Sequence, residues 1–240
     1  MAETGTLLDY GFEAQDADHD DGDTLVAEWV SYGTPQHREY DTAQAKVGSQ
    51  SAWLQGATSG DGGLYHGALN GQSGDNLELR CWMYFENATS SRYVRDFSAQ
   101  TIDVYFKWNG NIEIYTSQNV DVYTTGWNTL AGTYSTGWLQ IRIIWNFTGA
   151  YYTLDTRTTI GGEWTSRYKT GAANAHLPTF SATPTSMGNL AWVLDPNVQI
   201  WIDEVRWSTS AISDGDENTL SVNVAPSNSA YWIGAPRLTP

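Results

Sequence analysis

Two adjacent carboxylates, Asp203 and Glu204, sit in the middle of VQIWIDEVRWS, residues 198–208. A pair of carboxylates flanking one bond is the apparatus of glycoside hydrolysis. Neighbours along a strand point to opposite faces, so strict alternation makes these two poor partners. A second acidic run is DADHDDGD, residues 16–23, where Asp16, Asp18 and Asp20 copy the first three ligand spacings of an EF-hand loop. That loop needs Gly in its sixth position and Glu in its twelfth, and here those are Asp21 and Ala27. No helices flank the run, so an EF-hand is excluded. A loop-bound cation and a solvated acidic loop both stay open.

Aromatic side chains offer a third chemistry. The apolar face of a pyranose stacks on an exposed ring while polar groups take its hydroxyls. Among 12 Trp and 14 Tyr, those in turns or on polar strand phases are the candidates. They are Tyr65 in SGDGGLYHG, Tyr105 and Tyr115 on the polar phase of a hairpin, Trp127 in TTGWN, and Tyr151 and Trp164 near turns. The four histidines (His19, His37, His66 and His176) show no metal-ligand spacing, and no phosphate loop, Ser-His-Asp order or zinc pattern occurs. Cys81, the single cysteine, lies in the apolar run LELRCWMYF and reads as a buried thiol without a disulfide partner.

The elements that must position these residues are strands. Short alternating or apolar runs are separated by clusters of Gly, Asn, Asp, Ser and Thr, with no amphipathic helix. The runs are TLLDYGFE (6–13), LVAEWV (25–30), SAWLQ (51–55), LELRCWMYFE (77–86), TIDVYFKW (101–108), NIEIYT (111–116), NVDVY (119–123), WLQIRIIW (138–145), YYTLDT (151–156), EWTSRY (163–168), AWVL (191–194) and VQIWIDEVRW (198–207). Alternation in TIDVYFKW puts Ile102, Val104, Phe106 and Trp108 on one face, and Asn109-Gly110 then predicts a hairpin turn, because both residues tolerate positive φ. In the closing run Val198, Ile200 and Ile202 share one phase and Val205 and Trp207 the other. A switch of phase at Asp203-Glu204 predicts a β-bulge. Residues 170–190 read as a long loop. Residues 1–208 make one domain, and residues 209–240 make an extended tail with apolar anchors that packs on its own domain or on a neighbouring subunit. About ten to twelve strands without helices predict an all-β, two-sheet antiparallel jelly-roll β-sandwich.

The formal net charge is −15, from 27 acidic and 12 basic residues. Such a field repels phosphate backbones and argues against nucleic acid as a partner. No run approaches the roughly 20 apolar residues that cross a bilayer, and MAETGTLLDYGFEA has no signal-peptide pattern. The sequons at Asn87 and Asn146 are then chance matches.

The order DYGFE, KVGSQSAWLQ, STGWLQIRIIWNFTGAYYTLD and IWIDEVRW resembles the concanavalin A-like (laminin-G-like, lectin and glucanase) jelly-roll superfamily over about residues 6–207. Galactose-binding-like jelly rolls of carbohydrate-binding modules share the opening Phe-Glu and the closing Ile-Asp. The resemblance implies a structural calcium shared by the opening Glu13 and the closing Asp203, completed by backbone carbonyls. The Glu-x-Asp-x-x-Glu run of the superfamily's glucanases is absent here. VYFKW resembles one strand of its lyases, without their Gln-Ile-His and arginine-rich elements. The reading that follows is a non-enzymatic surface protein: a virion decoration component of a phage head or fibre, with added glycan binding. Its partners are the subunits of the assembly, engaged through the tail, and its setting is a virion surface or the extracellular space. Two alternatives stand beside it: a lectin-like module of a glycan-processing system, and a polysaccharide lyase or glycoside hydrolase.

Overall fold

A computed structural model describes residues 6–12, 20–25, 28–67, 70–86, 91–96, 101–116, 124–149, 151–169 and 186–212. Fifteen strands occur among them. These are β1 (Thr6–Tyr10), β2 (Trp29–Gly33), β3 (His37–Asp41), β4 (Ser51–Gln55), β5 (Gly62–His66), β6 (Asp75–Phe85), β7 (Arg92–Asp96) and β8 (Asp103–Phe106), then β9 (Asn111–Thr116), β10 (Gly126–Thr133), β11 (Gly137–Asn146), β12 (Tyr151–Arg157), β13 (Thr165–Lys169), β14 (Leu190–Leu194) and β15 (Gln199–Ser208). They form two antiparallel sheets packed as a β-sandwich. One runs β13-β12-β11-β6-β15-β4-β3 with β1 also on β15, and the other runs β10-β9-β8-β7-β14-β5-β2. No helix of the described residues is long and apolar enough to cross a membrane.

Period-two patterning builds the core. Leu139, Ile141, Ile143 and Trp145 of β11 meet Leu77, Leu79, Cys81, Met83 and Phe85 of β6 on the inner face, all buried. Val94, Val104, Phe106, Ile112, Ile114 and Trp192 face them from the other sheet. Phe12 of the opening Phe-Glu is fully buried against Trp29, with ring centroids 5.1 Å apart. Cys81 is buried, and burial pushes its thiol far above the range in which a thiolate forms.

The bulge in β15 has the position that the change of phase predicts. Against β6, Asp203 pairs with Trp82 and the next pairing is Arg206 with Arg80. Glu204 absorbs the extra residue in the left-handed region, at φ 48°. β4 pairs with β15 before the bulge and β1 after it. Val205 and Trp207 thereby return to the core.

Several expectations needed correction. The Asn109-Gly110 hairpin exists, but only Gly110 has positive φ. Its amide bonds the Lys107 carbonyl and the Lys107 amide bonds the Asn111 carbonyl, which makes a longer loop ending in a glycine bulge. The chain therefore leaves the strand before Trp108, which is 60% exposed instead of in the core. SGDGGLYHG and TTGWN, read as turns, supply β5 and β10. Gly63 is required within β5, because a Cβ there would stand 1.9 Å from the Trp192 carbonyl oxygen. β3 and β7 (HREYD and RYVRD) carry too few apolar residues to be found by pattern. The expected strand at 119–123 and tail residues 213–240 lie outside the described residues.

His66 on β5 is 5% exposed and meets Trp29 edge-on at 4.9 Å. Burial pulls its pKa down to about 4, against the opposing charge of Glu28. The unfolded chain takes up this proton near pH ~6.5, so the folded state binds fewer protons between the two values. The contribution, roughly 3 kcal/mol, is complete above pH ~6.5 and is lost as pH falls towards ~4. Urea unfolding at pH of about 7 and about 4.5 should show His66→Gln to be less acid-sensitive than the wild type. Equal sensitivity in both would refute this assignment.

Candidate functional site

The acid pair is tied into the scaffold. Asp203 Oδ2 accepts hydrogen bonds from the backbone amides of Lys46 (2.7 Å) and Val47 (3.0 Å), and Oδ1 accepts from the Glu204 amide (2.8 Å). Lys46 Nζ lies 4.3 Å from the Trp82 ring centroid. Asp203 thus fastens the turn ahead of β4 to the outer face of β15. Burial pushes its carboxyl up to about 8, and the amides pull the other way. Glu204 Oε2 accepts from Arg206 Nη2 at 3.0 Å. Arg206 shares the outer side with Arg80, so the bulge sets aside the strict alternation expected of the pair.

Among the proposed cation ligands, Glu13, Asp16 and Asp18 lie outside the described residues. Asp20 is exposed, and its amide donates to Asp23 Oδ2 at 3.0 Å. Asp21 Oδ1 accepts from the Thr42 amide at 2.9 Å. Among the described residues, no group of three or more His, Cys, Asp or Glu stands close enough to hold a metal.

Four of the six candidate aromatics come together on one surface, the outer face of the β10-β9-β8-β7-β14-β5-β2 sheet. Two rungs cross it. By strand register one reads Val30, Tyr65, Ala191, Arg95, Asp103, Tyr115 and Trp127. The next reads Tyr32, Gly63, Val193, Tyr93, Tyr105, Glu113 and Thr129. Small residues on β5 and β14 separate the aromatic flanks. Tyr93 and Tyr105, directly opposite each other, stack at 4.4 Å with ring planes 6° apart. Trp127 leans on this stack, 5.3 Å from Tyr105 and 6.3 Å from Tyr93, and meets Tyr115 edge-on at 5.4 Å. At 41% exposure Trp127 keeps open surface for a ligand.

Charged groups stand among these rings. Arg95 donates to Asp103 Oδ2 from Nη2 (2.7 Å) and Nε (3.1 Å). Lys107 Nζ donates to Glu113 Oε1 at 3.0 Å, and the Thr129 hydroxyl donates to the same oxygen at 3.0 Å. Burial pushes the Asp103 carboxyl upward, against the pull of Arg95. Its Oδ1 is buried with no hydrogen-bond partner among the described residues. Burial and the neighbouring Tyr105 also push the Tyr93 hydroxyl upward. The arrangement can stack a flat apolar ligand surface and offer both donors and acceptors around it.

The other two candidates belong to the other sheet. Tyr151 opens β12 and packs on the Gly149 turn. Trp164 precedes β13, with its ring over the guanidinium carbons of Arg157 (4.1 Å), Arg142 (4.3 Å) and Arg80 (5.3 Å). Pattern reading missed Tyr93 and Arg95. Their only signal is alternation in RYVRD around one apolar residue, Val94.

No protein-family model matches the chain. No curated protein matches it either. Solved structures do. A protein described as a conserved carbohydrate esterase, from the Shiga toxin-encoding bacteriophage phi24B, superposes with TM-score 0.54 at 16% identity, over 86% of this chain and 99% of that one. The binding domain of Paraclostridial Mosquitocidal Protein 1 gives TM-score 0.52 at 14% identity, over 90% of this chain and 51% of that one. The CBM22-1 xylan-binding domain of Paenibacillus barcinonensis Xyn10C gives TM-score 0.40 at 12% identity, over 88% of this chain and all of that one. Of another matching protein the chain spans only 17%. At these identities the likeness is one of fold alone: the chain is an all-β, two-sheet antiparallel sandwich.

Proposed function

We propose that this protein is a non-enzymatic, glycan-binding β-sandwich whose sugar platform is the outer face of β7–β10. The observation that carries this reading is the exposed Trp127 ring, braced by Tyr93, Tyr105 and Tyr115. A pyranose stacks its C–H face on that ring, and its hydroxyls reach Arg95, Lys107, Glu113 and Thr129. The ion pairs hold those side chains in place before a ligand arrives, which lowers the entropy lost on binding. The fold shared with a phage protein described as a carbohydrate esterase supports a sugar ligand at the level of architecture. The setting we favour is a virion or extracellular surface, where a net charge of −15 keeps the chain from nucleic acid.

A glycan array probed with the purified protein tests the reading. At least one oligosaccharide class should bind, with no turnover of any glycan on prolonged incubation. Trp108→Ala, at the hairpin tip, should leave affinity unchanged within about twofold, because an exposed ring outside the platform adds nothing to it. Silence across the array would sink the glycan reading, and turnover would sink the non-enzymatic one.

A further inference from the structure

The opposite face of the sandwich carries a second aromatic row. Trp53, Trp201, Tyr84 and Trp138 occupy one rung across β4, β15, β6 and β11. Trp53 and Trp201 lie nearly parallel, 15° apart with centroids at 6.4 Å. Tyr84 meets Trp201 at 5.6 Å and Trp138 at 5.4 Å, edge-on in both cases. Trp53, Tyr84 and Trp138 are half-buried, while Trp201 is closed off and donates its Nε1–H to Asp41 Oδ2 at 2.8 Å. Four neighbouring strands place the row across about 14 Å, the length of roughly three sugar rings.

At its Trp138 end the row enters a cleft of about 390 Å³, within the range of small-ligand sites. The chemistry changes there. Threonine and serine residues dominate the lining, including Thr158 and Thr159, and its charged members are Arg157, Arg167 and a single carboxylate residue, Glu163, with Arg157 buried and its guanidinium under the Trp164 ring. Two cations against one anion is a local reversal in a chain of net charge −15.

Arg167 is the distinctive group. Its Nε donates to Thr156 Oγ1 (2.7 Å), Nη1 to the Ala131 carbonyl (3.1 Å) and Nη2 to the Thr133 carbonyl (3.4 Å). Every one of these acceptors is neutral, and no carboxylate pairs with Arg167 among the described residues. These bonds fix the guanidinium plane across the gap between β13 and β10 and leave N–H groups on both Nη atoms. Partial burial lowers the pKa of this group. A planar, pre-oriented cation among hydroxyl donors is suited to a carboxylate.

We propose that this cleft binds the carboxylate of an acidic sugar, a uronic or sialic acid, on a glycan that lies along the Trp53–Trp201–Tyr84–Trp138 row. The proposal rests on the glycan reading above but assigns a second site on the other sheet.

The test is titration calorimetry with trigalacturonate and with 3′-sialyllactose, each against its neutral counterpart (galactotriose, lactose), with sulfate as a simple anion. At least one acidic probe should bind more than about tenfold tighter than its neutral counterpart, and which of the two does so identifies the acid. Arg167→Gln should weaken that probe by about tenfold or more, and added salt should weaken it as well. Because Arg167 also joins the two sheet edges, Glu163→Gln provides the independent arm. It removes an exposed carboxylate from the cleft and should tighten the acidic probe severalfold with unfolding unchanged. The proposal fails if acidic probes show no preference, if sulfate binds as well as they do, or if Glu163→Gln leaves their affinity unmoved. Acidic binding that follows Trp127 and not Arg167 also overturns it, by assigning the acid to the β7–β10 platform and leaving the glycan reading intact.

Discussion

Asp203→Ala lowers the thermal unfolding midpoint by roughly 10 °C, corresponding to about 3–4 kcal/mol in a chain of this length. The carboxylate accepts three backbone amides, from Lys46, Val47 and Glu204, at a position with no exposed surface. Alanine removes all three acceptors at once. Donors that water cannot reach are then left unsatisfied, and each costs on the order of 1–3 kcal/mol, less where the turn opens to solvent. The turn ahead of β4 also loses its anchor, and Lys46 with it loses its seat over Trp82. Differential scanning calorimetry in EDTA and in calcium separates two origins of this loss. An amide latch gives the same drop in both solutions. A drop confined to the calcium solution would mean that Asp203 acts through an ion shared with Glu13.

Trp127→Ala weakens glycan binding by at least about tenfold, or abolishes it on an array, while changing unfolding free energy by less than about 1 kcal/mol. Trp127 lies on β10, an edge strand, where removal of a 41% exposed ring opens no closed cavity. It is nevertheless the ring that offers its surface to a ligand, and Tyr105 and Tyr115 act through it as braces. Trp127→Phe should recover part of the affinity, because a smaller face still stacks. Loss of binding together with a collapse of stability would assign Trp127 to the fold, and full binding by Trp127→Ala would remove the platform from the proposal.

Much of the fold was readable from the chain because strand burial repeats every two residues. LELRCWMYF, WLQIRIIW and VQIWIDEVRW each declare a buried face, and even the bulge at Asp203-Glu204 follows from a change of phase. Polar strands such as HREYD and RYVRD show no buried face in their pattern, since pairing holds them in place, on both sides for RYVRD and along β4 for the edge strand HREYD. Trp108 misled for the opposite reason: it keeps the phase of β8, but the backbone has already turned at Lys107.

The same division holds for the sites. Residue type and phase single out Tyr105 and Tyr115, because aromatics on the polar side of a strand must face outward, whereas Trp127 stands out only as an aromatic in an expected turn. Whether outward-facing rings meet depends on which strands become neighbours, and that is a long-range matter of sheet order. Register put Tyr93 opposite Tyr105 and drew Trp127 onto both, while Trp164 went to the other sheet and closed over Arg80, Arg142 and Arg157. Sequence by itself determined the sandwich, its core faces and its bulge, since each is set by local alternation. Only the tertiary structure decided the aromatic platform, the amide latch at Asp203 and the cleft around Arg167, since each joins strands far apart in the chain.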